Sequence, residues 1–252
     1  MQRRWAQQLW QAEQDLVPCI PPSQQDPSLT LADAYRIQAL GWELRGEPIA
    51  GWKVALTSLD FQRRMGIDHP LYGALLESQH RSDGGSMEGL MLPRVETEVA
   101  FVLGSDLTEI SREGVRRATS HLCVAFDVCD SRMQGAPSAI DLVADNAGAG
   151  CFVLGPEKVA VVSQWEKASE KQAWPVTVWR NGELEFRGGQ DGPDPLDAVV
   201  WLAAELNLRG LRLRAGQVIL SGALAPQTAA NWGDLVEAEV QGLGRLSARF
   251  PH

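Results

Sequence analysis

The sequence predicts an α+β protein: a small mixed helical N-terminal region, residues 1–90, followed by a β-rich domain of mostly antiparallel strands, residues 91–252. Three observations carry this. Helical patterning is concentrated in the first 50 residues, short β-runs predominate from Met91 onward, and strands do not alternate with helices regularly enough for a doubly wound parallel sheet. The 252 residues suffice for one large domain, or a large domain with a small extension, and 44% hydrophobic with 22% charged residues is ordinary for a globular chain.

Each element has a local cause. In "MQRRWAQQLWQAEQDL", Trp5, Leu9 and Trp10 share one helical face. "PCIPPSQQDPS" (18–28) is a proline-rich connector that cannot be helix interior. Thr30 followed by Asp33 makes a capping box with Asp in place of Glu, which opens a helix through about Leu44 that Gly46 ends. "IAGWKVALTS" is strand-like, "LDFQRRMGI" a short helix, and "HPLYGALLES" loop and strand. Beyond Met91 the β-runs are 95–103, 122–129, 151–154, 175–180, 217–221 and 235–240. A helix at 111–121 separates the first two. A second, 195–208, has Asp194 as N-cap, Pro195 at its first position and Gly210 as its stop. There are no repeats and no low-complexity segments.

Composition excludes some functions. A net charge of −9 argues against nucleic acid as the main partner, because phosphate binding needs a basic surface. It leaves room for a small anionic substrate, since a metal or a local cation reverses the field within a pocket. Cys19, Cys123, Cys129 and Cys151 show neither CxxC spacing nor zinc-finger pairing with histidine, and read as reduced thiols of a cytosolic protein. The N-terminus has no long apolar core and no small-residue cleavage site, and no run approaches the ~20 apolar residues of a membrane span. The expectation is a soluble, cytoplasmic protein without a membrane partner.

The chemistry is carried by acids in apolar strands. In "PRVETEVAFVLG" (93–104), Glu96 and Glu98 leave the same face of a strand roughly 7 Å apart. Two like charges there need solvent, basic partners or a metal ion. Asp127, in "CVAFDVCDSR", points opposite to Phe126 and Val128. Three carboxylates among apolar residues are costly to bury unpaired, and a hard divalent cation such as Mg²⁺ or Mn²⁺ would resolve that cost with oxygen ligands. Lys53, between Trp52 and Val54, is either a solvent-facing lysine or, if buried near a metal, an anion-binding or proton-transfer group of lowered pKa. Ser221-Gly222-Ala223 ends a strand in a turn that can present N–H groups and a hydroxyl to a carboxylate, or is an ordinary strand end. "DLVADNAGAG" (141–150) reads as an acidic, glycine-rich loop without the lysine of a phosphate loop. The four histidines are scattered, and His69 stands out for preceding Pro70 in the connector after Lys53.

"GWKVALTS", "MGIDHPLYGALL", "PRVETEVAFVLG", "DVCDSR", "VADNAGAG", "DPLDAVVWLAAEL" and "VILSGALAP" occur in an order that resembles the hydratase/decarboxylase branch of the fumarylacetoacetate hydrolase superfamily. That branch includes 2-hydroxypenta-2,4-dienoate (2-keto-4-pentenoate) hydratases and 4-oxalocrotonate decarboxylases of aromatic meta-cleavage catabolism. The resemblance spans roughly residues 30–250 and implies a fumarylacetoacetate-hydrolase-like β-rich catalytic domain. It implies that Glu96 and Glu98 bind Mg²⁺ or Mn²⁺, that Asp127 is a third acidic ligand where glutamate is usual, and that Lys53 and Ser221 match the family's active-site lysine and hydroxyl. Two positions depart from the pattern: Leu71 stands where an acid is common, and Gly148 where a serine is common. With His69, these mark the expected substrate-binding positions. The implied reaction is hydration of a small 2-hydroxy-2,4-dienoate or 2-oxo-enoate. The alternatives are decarboxylation of a 2-oxo-3-enedioate on the same chelate, or a weakened family member acting as a partner subunit. A homo-oligomer, or a complex with a neighbouring pathway enzyme, is implied as the assembly.

Overall fold

The computed structural model describes residues 2–160, 174–189 and 193–252. Helices α1 (Gln2–Asp15), α2 (Pro22–Gln25) and α3 (Leu31–Arg45) precede β1 (Ile49–Ala55), α4 (Leu59–Met65), β2 (Leu71–Leu76) and a two-residue β3 (His80–Arg81). Then come β4 (Arg94–Leu103), α5 (Arg112–Ala118), β5 (Thr119–Cys129), α6 (Ala139–Ala144) and β6 (Ala149–Leu154). The last part holds β7 (Val176–Arg180), β8 (Glu183–Gly188), α7 (Pro195–Leu208), β9 (Val218–Ala223), β10 (Thr228–Ala229), β11 (Leu235–Val240) and β12 (Gly244–Arg249).

Capping decides the long helices. Thr30 accepts from the Asp33 N–H while the Asp33 carboxylate accepts from the Thr30 N–H, and Gly46 closes α3 in the left-handed region at φ 63°. Asp194 caps α7 through the Leu196 N–H, with Pro195 at the first turn. The helix expected at 111–121 ends at Ala118, and Thr119 already opens β5, its hydroxyl bonding back to the Val115 carbonyl at 2.7 Å.

Eight strands form one mixed sheet in the order β2-β1-β9-β4-β5-β6-β3, with β10 added to β4. The β1/β9 and β3/β6 pairs are parallel and the other pairs antiparallel. Strands from both sides of residue 90 are thus hydrogen-bonded into one sheet. A second, antiparallel sheet runs β12-β11-β7-β8.

Strand alternation separates the two faces of the large sheet. Trp52, Val54, Val95, Val99, Phe101, Leu122, Val124, Phe126, Val128 and Ile219 join the main core, which also takes in Val176, Val178, Val236, Ala238 and Val240 from the small sheet. The opposite face carries a smaller apolar cluster of Leu75, Ala100, Cys123, Ala125, Phe152, Val218 and Leu220. Glu96, Glu98, Asp127 and Lys53 are set on that second face by the same alternation. The apolar cluster lies beside them on that face.

Residues 141–150 are not the loop that the sequence suggests. Ser138 and Asp141 form a second capping box that opens α6, a turn spans Asn146–Gly148, and β6 starts at Ala149. Asn146, Ala147 and Gly148 are consecutively left-handed, with φ of 54°, 53° and 67°. Such a run is strained for the two non-glycine residues, and the Asn146 side chain holds it in place. Its Oδ1 accepts from the Ala74 N–H at 2.8 Å and the Trp42 indole N–H at 2.9 Å, and its Nδ2 donates to the Ala74 carbonyl at 2.8 Å. The turn lies so close to β2 that a Cβ on Gly73 would meet the Asn146 carbonyl oxygen at 2.3 Å. Glycine is needed there.

Candidate active site

Cross-strand register builds the site. Glu96 on β4 stands directly opposite Asp127 on β5, and Lys53 on β1 stands opposite Gly73 on β2 and Leu220 on β9. Lys53, Glu98 and Asp127 are each fully buried. Glu96 and Cys129 are half-buried and mark the outer side of the cluster.

The Lys53 ammonium ion-pairs with Asp127 Oδ2 and donates to Cys129 Sγ at 3.1 Å. The Cys129 thiol lies 3.5 Å from Glu96 Oε2, and the Gln227 amide donates to Glu96 Oε1 at 2.7 Å. Glu98 Oε2 accepts from the Gly222 N–H at 2.7 Å. Two buried carboxylate oxygens, Glu98 Oε1 and Asp127 Oδ1, have no hydrogen-bond partner. Buried acceptors are nearly always satisfied, so two such oxygens in one acidic cluster suit the ligand set of a cation.

The electrostatics agree. Burial raises the Glu98 carboxyl well above the usual range, and the neighbouring Asp127 and Glu96 push it the same way. Glu96 is raised too, first by burial and then by Asp127. Burial alone would depress Lys53, but Asp127, Cys129 and Glu96 outweigh it and hold the ammonium above the ordinary lysine range. The lowered pKa that the sequence allows for a buried lysine is therefore not found, because the lysine is buried among acids. The Cys129 thiol is held well above its usual value by burial, Asp127 and Glu96.

The donor set fits a divalent cation. Glu96, Asp127 and Cys129 each offer a ligand atom, all within 4.8 Å of one another. Glu98 lies two residues from Glu96 on the same strand face and is fully buried beside this group. A set dominated by carboxylate oxygens matches a hard ion that keeps open positions.

The remaining expected residues fall as follows. The Ser221 hydroxyl donates to the Val99 carbonyl at 2.8 Å, and β9 continues through Ala223. The N–H of the following residue, Gly222, serves Glu98. Gly222 is itself left-handed at φ 104° and packs on Thr57. Leu71 is fully buried at the start of β2, opposite Ala55, and joins the main core cluster. Gly148 belongs to the turn beside Gly73, and its carbonyl accepts from the Asp130 N–H at 2.8 Å. His69 turns elsewhere: its ring stacks near Trp201 with centroids 6.4 Å apart, and its Nδ1 lies 2.8 Å from the Pro70 carbonyl oxygen.

Sequence reasoning missed Cys129 and Gln227, and it missed a supporting layer. Cys129 was detectable as the residue two beyond Asp127 on one strand face, whereas nothing local points to Gln227. In the supporting layer, Arg132 is buried against Asp145, with Nε 2.6 Å from Oδ1 and the Arg132 N–H 3.0 Å from Oδ2. Asp130 accepts from the Met91 and Leu92 N–H groups at 2.9 and 2.7 Å. The Asp130 contacts tie the outer end of β5 to the segment entering β4, and the Arg132–Asp145 pair ties it to the end of α6.

Comparison with known proteins places the chain. The sequence model of the fumarylacetoacetate (FAA) hydrolase C-terminal family matches residues 79–250. A 2-keto-4-pentenoate hydratase of Paraburkholderia xenovorans (strain LB400) is 34% identical over 255 residues, covering 97% of this chain and 93% of that protein. The 2-hydroxyhexa-2,4-dienoate hydratase of Comamonas testosteroni is 34% identical over 256 residues, covering 97% and 95%. Among solved structures, 4-oxalocrotonate decarboxylase from Pseudomonas putida G7, complexed with magnesium and adipate, superposes with a TM-score of 0.89 at 30% identity, covering 99% of this chain and 97% of that one.

Proposed function

The chain belongs to the fumarylacetoacetate hydrolase family, and from that premise we propose that it is a divalent-metal-dependent lyase that hydrates a small 2-hydroxy-2,4-dienoate or 2-oxo-enoate in aromatic catabolism. The observation that carries this reading is the convergence of Glu96, Glu98 and Asp127 on one sheet face beside a fully buried Lys53, with two carboxylate oxygens unpartnered.

Glu96, Glu98 and Asp127 would hold Mg²⁺ or Mn²⁺. The ion would supply Lewis-acid polarisation of the C1 carboxylate and C2 oxygen of a 2-oxo acid. Each protein group then has a task. Asp127, Cys129 and Glu96 hold the Lys53 ammonium protonated, so its Nζ can balance negative charge developing on the substrate. The Gly222 N–H fixes the Glu98 carboxylate, and Gln227 fixes that of Glu96 on the open side. Leu75, Ala100, Ala125 and Leu220 flank the acids on the same sheet face and keep that side of the cluster apolar. For hydration, the dienol first passes to its 2-oxo form by proton transfer, and water then adds at the remote carbon.

Leu71 and Gly148 supply no polar side chain at the two positions where the family pattern has one. A second substrate carboxylate there would be desolvated without a partner, which favours a monocarboxylic substrate. Decarboxylation of a 2-oxo-3-enedioate on the same residues is the second reading, favoured by the structural likeness to a 4-oxalocrotonate decarboxylase. Among the described residues no helix is long and apolar enough to cross a membrane. This agrees with a cytoplasmic enzyme, and a homo-oligomer would cover such exposed apolar residues as Leu59, Phe61, Leu92 and Trp232.

The test is turnover with Mg²⁺ or Mn²⁺ of 2-hydroxy-2,4-dienoates and 2-oxo-3-enedioates, following loss of conjugated absorbance and release of CO₂. Hydration of a monoacid without CO₂ release is expected. Faster turnover of an enedioate with CO₂ release would establish the decarboxylase. No turnover of either class would overturn the enzyme reading and leave the partner-subunit role.

A further inference from the structure

We propose that Cys129 is an additional ligand of the divalent-cation site, and that its sulfur shifts the site's preference from magnesium toward thiophilic divalent cations; this rests on the metal-site reading above. Strand geometry puts it there. Cys129 lies two residues beyond Asp127 on β5 and so leaves the same face. Its β4 neighbour is Arg94, two residues before Glu96, which makes Cys129 and Glu96 a diagonal pair across the ladder. The sulfur is consequently 3.5 Å from Glu96 Oε2.

Two further observations point to a ligand. Asp127 is fully buried, and its Oδ1 has no hydrogen-bond partner. The group already beside the thiol is a cation: the Lys53 ammonium sits 3.1 Å from Sγ while pairing with Asp127. A carboxylate and a sulfur thus converge on one positive charge, and ligand atoms from Glu96, Asp127 and Cys129 fall within 4.8 Å of each other. Metal–oxygen and metal–sulfur distances of about 2.0–2.3 Å allow one ion to span such a set.

Coordination changes the chemistry of both partners. The thiolate is the ligand, so a metal–sulfur bond forms as the S–H bond breaks, and the proton leaves to solvent. Soft sulfur adds little for Mg²⁺, which prefers oxygen, and much for ions later in the first transition row or for Cd²⁺. Serine or valine in place of Cys129 would remove that discrimination.

The test uses full-length protein stripped of metal under reducing conditions. Cd²⁺ is titrated into wild type, Cys129→Val and Cys129→Ser, following ultraviolet thiolate-to-cadmium charge transfer, and Mg²⁺ affinity is measured by calorimetry on the same samples. The expected result is one saturable band per wild-type chain that both variants lack. The variants should lose at least ~10-fold in Cd²⁺ affinity, the scale on which loss of a group from a metal's surroundings tells, and keep the wild-type Mg²⁺ affinity. Two outcomes would overturn the proposal while leaving the carboxylate site standing: a band persisting in both variants, traceable to Cys19, Cys123 or Cys151, or a Cd²⁺/Mg²⁺ preference that neither variant changes. If neither cation binds wild type, the metal-site reading fails and the cysteine proposal falls with it.

Discussion

Glu96 and Asp127 face one another directly across the β4–β5 ladder. Directly opposed residues place their Cβ atoms about 4.5–5.5 Å apart, and like charges so opposed are destabilising. A bound divalent cation would turn that cost into attraction. Saturating Mn²⁺ should therefore stabilise the protein against urea by about 2.7 kcal/mol at a free concentration 100 times its Kd. Identical unfolding curves with Mn²⁺ and with chelator would contradict the pairing.

The pH dependence of the metal-free protein follows from Glu98. Its folded-state pKa is raised by burial, then by Asp127 and Glu96, so the folded chain holds a proton that the unfolded chain has released. The destabilising contribution is absent below the ordinary glutamate pKa of about 4.3 and complete above the raised folded value. Stability in chelator should thus fall as pH rises through that window. Glu98→Gln keeps an acceptor for the Gly222 N–H and should flatten the slope. A variant with the wild-type slope would place the titrating group elsewhere.

Lys53 is tied to stability as well as to chemistry. A solvent-facing Lys53, one of the two readings the sequence allows, would make Lys53→Met cheap in stability, but the fully buried ion pair with Asp127 argues otherwise. Removing one partner of such a pair costs about 3–5 kcal/mol through the charge left uncompensated. Bound Mn²⁺ would take over that compensation, so the loss should shrink in the metal-loaded protein, while turnover falls by at least ~10²-fold. Equal destabilisation with and without metal would show that Lys53 and the cation do not share Asp127.

Leu71→Asp and Gly148→Ser test the two departures from the family pattern. Leu71 is fully buried, so an aspartate there costs several kcal/mol unless it finds a partner in the site. Serine at 148 has room, since the nearest atom to its Cβ is the Asp130 carbonyl oxygen at 3.6 Å, but it must accept φ 67° at a cost of roughly 1 kcal/mol. The expected outcome is a less stable double variant with a raised hydration rate, read from urea midpoints and turnover on the same preparation. Unchanged hydration in the folded variant would remove both positions from the substrate pocket.

Much of this was legible in the sequence. Glu96, Glu98 and Asp127 stood out because acids interrupt apolar strands, and the α3 boundaries were written in Thr30, Asp33 and Gly46. Strand β8 was hidden because "ELEFRG" is mostly exposed and carries little apolar alternation. Strand β12 was hidden because only Leu246 and Ala248 of "GRLSAR" are buried. Helix α6 escaped because its capping serine, Ser138, precedes the acidic stretch that drew attention. The Lys53–Asp127 pair joins residues 74 positions apart, and the Gln227–Glu96 contact spans 131. Both depend on strand order, which no local pattern encodes.

The central claim is that Glu96, Glu98 and Asp127 together hold one divalent cation. Calorimetric titration of Mn²⁺ into the metal-free wild type and into the Glu96→Ala/Glu98→Ala/Asp127→Ala variant tests it most directly, with circular dichroism confirming that the variant is folded. The predicted result is one Mn²⁺ per wild-type chain and no measurable binding by the folded triple variant. Binding by that variant as tight as wild type would contradict the account and put the metal elsewhere.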